Sequence, residues 1–131
     1  MDGTKTGTGT AGDTGAGTGT RSAGGPAAAE PLALAEVAAA LPGAWRSRVL
    51  GRVGPTAVKV ARMDGLPLAE ESHPTAEALL VLDGLLALEV AGEPVSVRAG
   101  ELFLVPAGTP HRVRPGSTGT LLIVEAEAAG S

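Results

Sequence analysis

Only two histidines occur in this chain, at positions 73 and 111, and carboxylates flank the first: Glu71 two residues before it and Glu77 four after. Imidazole nitrogen and carboxylate oxygen together make a ligand set for a divalent metal ion of hard to borderline character, and a carboxylate in such a site can also move a proton. On an extended strand Glu71 and His73 share one face, and the turn Pro74-Thr75-Ala76 returns the chain so that Glu77 opens the next strand. His111 follows the rigid turn Pro106-Ala107-Gly108-Thr109-Pro110 and can join the other three only if a sheet closes on itself. Cys is absent, which excludes disulfides, thiolate nucleophiles and thiolate metal sites, so any metal must be held by nitrogen and oxygen.

The elements that must position these residues are strands. Apolar residues make up 44% of the chain but aromatics only 2%, so the core is expected to be built from Leu, Val, Ile and Ala, with Trp45 and Phe103 as its two large rings. Either ring could instead line a ligand pocket. Apolar segments of strand length run over Ala57–Met63, Ala78–Leu82, Leu85–Val90, Val95–Arg98, Leu102–Val105, His111–Arg114 and Leu121–Glu125, each bounded by Gly, Pro, Asp or Ser. That spacing suits an antiparallel sandwich or closed barrel, and Asp83-Gly84 predicts a hairpin between the second and third segments. Alternation of His111 and Val113 with Arg112 and Arg114 turns His111 inward. Leu79–Leu82 and Leu85–Leu88 are apolar on both faces, so their outer side needs a cover, either an N-terminal helix or a second subunit; a homodimer is the expectation.

Upstream, Leu34, Val37 and Leu41 fall at helical spacing among alanines, Pro31 suits a first turn and Pro42-Gly43 ends the run. The layout read from the sequence is a disordered Gly/Thr-rich tail over 1–25, the helix and its lead-in over 26–44, the β-barrel domain over 45–127 and a flexible end over 128–131. A chain of 131 residues has room for one such domain. A net charge of −4 without a dense Lys/Arg cluster argues against nucleic acid as a partner. The start lacks a basic and then apolar leader, and the most apolar stretch, Leu79–Val90, is broken by Asp83 and Glu89, so the expectation is a soluble, cytoplasmic protein without a membrane association.

Two groups of these residues resemble the motifs of the cupin family. The first motif runs Gly, a gap, His-x-His, three or four residues, Glu, six residues, Gly; here Gly65, Glu71-Ser72-His73, Glu77 and Gly84 stand at that spacing, with Glu71 in place of the first His. The second runs Gly, five residues, Pro-x-Gly, two residues, His, three residues, Asn; here Gly100, Pro106-Ala107-Gly108 and His111 match, and Pro115 stands where the Asn would be. The resemblance covers about Trp45 to Glu125 and implies a jelly-roll β-barrel of the RmlC-like superfamily. It also implies that His73, Glu77 and His111 occupy metal-ligand positions, with Glu71 able to act as a fourth ligand.

Such a site suits Mn, Fe(II), Zn, Co or Ni, and crowding of its carboxylates without metal should raise at least one pKa and make metal removal destabilising. The bland reading is a cupin without metal, in which the two histidines are hydrogen-bonded barrel residues and Glu71 belongs to an acidic edge. Cupins include isomerases, epimerases, dioxygenases, decarboxylases, sugar-binding regulators and storage proteins, so fold alone fixes no reaction. The absence of Tyr removes the phenolic acid of cupin deoxysugar epimerases, and the absence of Cys removes the thioether-modified site of some thiol dioxygenases. Two functions stay open: a metal-dependent isomerase-like or oxygenase-like reaction on a small polar substrate, and a non-catalytic small-ligand-binding or sensing module with a structural metal or none.

Overall fold

The computed structural model describes residues 30–126. The tail expected over 1–25 and the flexible end over 128–131 lie outside them. By its internal contacts the chain divides after Leu32, and every element below belongs to the unit that begins at Ala33. Of the other unit, Glu30, Pro31 and Leu32 are described; they are exposed and without regular structure. The order of elements is α1 (Leu34–Ala39), β1 (Arg48–Val53), β2 (Thr56–Asp64), β3 (Glu77–Val90), β4 (Glu93–Arg98), β5 (Leu102–Val105), β6 (His111–Val113) and β7 (Thr118–Ala126).

All pairings are antiparallel, and β3 is the strand on which the fold turns. Its first half lies between β7 and β5, its second half between β4 and β6, and β2 and β1 extend the sheet beyond β7. Leu79, Val81, Leu86 and Leu88 from β3 meet Met63, Val97, Val105, Val113 and Leu121 in one aliphatic core, with Trp45 and Phe103 packed partly buried against it. An all-β jelly roll closed by a shared long strand is the outcome that alternating, Val- and Leu-rich segments favour.

Two local expectations change. Asp83-Gly84 is not a hairpin: β3 runs through it, with a register shift between Val81 and Asp83 where it pairs with β7. Gly84 at φ 85° faces Gly119 at φ 106°, and a Cβ on Gly84 would lie 1.9 Å from the carbonyl oxygen of Thr118. The dipeptide therefore supplies a bulge where two backbones touch, rather than a chain reversal. The helix forms but spans Leu34–Ala39, so Pro31 precedes it and Leu41 follows it. It packs on β2 and β7, and Arg62 reaches over from β2 to donate from Nη1 to the carbonyls of Ala38 at 2.7 Å and Leu41 at 3.3 Å, tying the C-terminal end of the helix to the sheet.

Candidate metal centre

Backbone pairing places the ligand candidates before any side chain is considered. Glu71 and His111 exchange both backbone hydrogen bonds at 2.9 Å as an isolated antiparallel bridge, which puts their side chains on one face. His73, two residues on, shares that face, and its carbonyl accepts from Gly108 N–H at 2.7 Å, tying it to the turn that precedes β6. Glu77 begins β3 opposite Val105 and Glu125. The barrel closure required by the sequence is thus present, and His111 is buried, as its alternation predicts, with Val113.

Ligand atoms of Glu71, His73 and His111 all lie within 4.8 Å of one another. His73 Nε2 is 3.5 Å from Glu71 Oε1, and the two imidazole centroids are 5.4 Å apart at a 53° tilt. His111 Nδ1 sits 2.9 Å from the carbonyl oxygen of Thr109. A carbonyl can only accept, so the proton is on Nδ1 and the Nε2 lone pair is free to ligate. Glu77 stands outside the mutual group of three but beside it, its Oε1 3.5 Å from His111 Nε2.

Glu77 also faces a residue that the sequence reading missed. Burial, a hydrogen bond with Glu125 and the charges of Glu125 and Glu71 push its pKa from 4.5 up to about 8, with Lys59 opposing. Burial by itself would raise Glu125 as well, yet hydrogen bonds with Lys59 and Glu77 and the Lys59 charge hold it below its ordinary value. Lys59 Nζ donates to Glu125 Oε2 at 2.6 Å. The proton therefore rests on Glu77, which donates to an ionised Glu125. The crowding of carboxylates expected from the sequence is real, but its main partner is Glu125 rather than Glu71. Glu125 shares the inward parity of Leu121 and Ile123, the one sign by which the sequence could have marked it.

The residues fit a divalent ion on their own chemistry: a free Nε2 fixed by its second nitrogen's bond, a second imidazole and a carboxylate in reach, and a neutral carboxyl that a cation would deprotonate. Behind them lies a cavity of about 170 Å³, lined by Glu71, Glu77 and His111, by Trp45 and Ser47, and by aliphatic side chains including Leu79, Leu86, Leu88, Val113, Leu121 and Ile123. Near the site, Arg62 is engaged by the helix end and Arg112 by Glu89, the latter at 2.5 Å.

A family model described as cupin domain matches residues 64–126. Among solved structures, a cupin-2 domain protein of Shewanella frigidimarina superposes with a TM-score of 0.65 at 20% identity, covering 70% of this chain and 90% of that one. A protein of Neisseria meningitidis gives 0.65 at 22%, covering 75% of this chain and 100% of its own. A hydroquinone 1,2-dioxygenase, solved with Cd2+ and 4-hydroxybenzonitrile, gives 0.61 at 22%, covering 71% and 70%. No curated protein sequence matches this one.

Proposed function

The chain belongs to the cupin family through its domain over residues 64–126, and from that premise we propose that Glu71, His73, Glu77 and His111 hold one divalent metal ion at the mouth of the barrel cavity and bind a small molecule there. The observation that carries this reading is the mutual approach of Glu71, His73 and His111 within 4.8 Å, with His111 Nε2 left free by the Thr109 carbonyl. When bound, the ion supplies Lewis-acid polarisation of an oxygen on the ligand, or a place for dioxygen. While no ion is bound Glu77 holds a proton at neutral pH beside His111; a bound ion would displace that proton, and the carboxylate so formed would accept a proton from a bound molecule. This is the apparatus of an isomerase-like or oxygenase-like reaction, and the neighbouring dioxygenase fold keeps the second within view. A cavity whose remaining wall is mostly aliphatic supports the alternative, a non-catalytic binding cupin.

Elemental analysis of protein purified without an affinity tag separates these views from a metal-free barrel. About one metal ion per chain is expected, from among Mn, Fe, Zn, Co and Ni, with loss of most of it in His111→Ala and in Glu77→Ala and a lower melting temperature in excess chelator. A parent without metal, whose melting is indifferent to chelator, would remove the site. Where iron is found, oxygen uptake with candidate substrates distinguishes an oxygenase from an isomerase or a binder. We propose in addition that the chain forms a homodimer over the outer face of β3 and β5, where Leu102 and Leu104 are about 60% exposed.

A further inference from the structure

Glu71 and His73 stand on a segment unlike the rest of the barrel. Between β2 and β3 the chain passes through residues 66–73 without strand structure, apart from the single bridge of Glu71 with His111. None of these residues is buried, and only Leu68 and His73 are even half-buried. Leu68 is the one side chain of the segment that packs against the aliphatic core. Backbone hydrogen bonds hold the segment to the barrel at three places: Leu68 N–H on the Val113 carbonyl at 3.1 Å, Glu71 with His111 in both directions at 2.9 Å, and Gly108 N–H on the His73 carbonyl at 2.7 Å. β7, by contrast, is paired along both edges, with β2 and with β3. A segment with few buried side chains and few backbone bonds opens at a fraction of the free energy of global unfolding. Leu68 is also a wall: with Val113 it lines both the barrel cavity and a second cleft of about 270 Å³, which Arg112 and Arg114 border.

From these observations we propose that residues 66–73 form a strap that lifts from the barrel as a unit while the site is free of metal, and that a divalent ion fastens it. The inference rests on the metal-site reading above, because the ligands of that site come from both sides of the opening: Glu71 and His73 from the strap, Glu77 and His111 from β3 and β6. All four assemble only when the strap is closed, and a lifted strap leaves Glu77 and His111 alone. The closed form therefore binds the ion more tightly, and by linkage the ion suppresses opening by the same ratio. Without metal the strap is held by Leu68 and its few backbone bonds, and its lifting removes the wall between the barrel cavity and the cleft beside Arg112 and Arg114.

Amide hydrogen exchange of the full chain reads this directly, since the N–H groups of Leu68, Glu71, Gly108 and His111 lose their acceptors when the strap lifts. In chelator these amides are expected to exchange together, about a hundredfold or more faster than the bonded amides of β7, at a rate that low urea leaves unchanged, the mark of a local opening. Zinc at a free concentration of about 100 times its dissociation constant is expected to slow them by up to about a hundredfold. Leu68→Ala, which removes the apolar anchor, is expected to speed them about tenfold in chelator. If these amides exchange as slowly in chelator as those of β7, the strap does not open by itself and the inference is overturned. Rates at Glu71 and His111 that ignore Leu68→Ala overturn movement as a unit. A chain that takes up zinc without slowing of these amides overturns the fastening and leaves the metal site standing. A chain that takes up no zinc removes the metal-site reading and the fastening with it, while exchange in chelator still decides whether the strap opens.

Discussion

Glu77 meets His111 on one side and Glu125 on the other, and a carboxyl so enclosed keeps its proton until about pH 8. An unfolded chain releases the same proton near 4.5. Between those values the folded protein binds a proton that the unfolded chain has lost, so this contribution to stability is complete below the lower value and drains as pH rises through the upper. Glu125, lowered instead, contributes in the opposite sense and is lost only in acid. The metal-free melting temperature should therefore fall from about pH 5.5 to about pH 8.5, and Glu77→Gln, which stays neutral throughout, should flatten that slope. Thermal melts of both proteins in chelator test this, and parallel slopes would rule out Glu77 as the source. Metal binding has the reverse sign: the ion must displace the proton, so affinity measured by titration should rise with pH up to about 8. His73 and Glu71 are more exposed by comparison and would give a bound ion its route from solvent.

At the level of strands, the contact of β3 with β7 at Gly84 and Gly119 sets how the barrel bends between its two halves. Gly84 and Gly100 share a φ of 85°, but a Cβ at Gly100 would meet open space. Gly100→Ala should therefore cost about 1 kcal/mol, from backbone conformation alone, and Gly84→Ala about 3 kcal/mol or more, because the strands must part as well. Urea unfolding of the two variants compares them directly, and equal costs would mean that the strands do not touch there. The same glycine explains what the sequence disclosed and what it withheld. A Gly at positive φ serves a hairpin or a bulge equally well, and only its partner Gly119, distant in the chain, decides between them. β1 was invisible for another reason: Arg48–Val53 is exposed at all but Leu50, so it has no inward face to alternate. Glu71, His73, Glu77 and His111 were legible because local extension and turn chemistry group three of them, and the motif spacing supplies the fourth. Lys59 and Glu125 were not, since they approach Glu77 only through the register of β2, β7 and β3, in which Glu125 stands opposite both Ala57 and Glu77.

For the molecule as a whole, the apolar outer face of β3 needs a cover that one chain does not fully provide. α1 lies on β2 and β7, whereas β5 pairs with β3 and turns Leu102 and Leu104 outward beside Leu80 and Ala78. A short strand at a sheet edge with exposed leucines invites association, and proteins ordinarily bury or charge such edges. A second copy of the same face is self-complementary under two-fold symmetry and would cover both sets at once. Light scattering after size exclusion should accordingly give twice the chain mass, with a melting temperature that rises with protein concentration. Leu104→Glu should yield a folded monomer, because its side chain points away from the core cluster and a buried, unpaired carboxylate opposes reassociation. A parent that runs as a monomer from about 1 µM to several hundred µM would dispose of the dimer, since an interface of standard size holds together well below that range. The proposed metal centre lies on the inner face of the same strand, at Glu77, one residue from the outward Ala78. Zinc loading of the Leu104→Glu monomer then decides whether one chain builds the site alone, and about one ion per chain is the expected result.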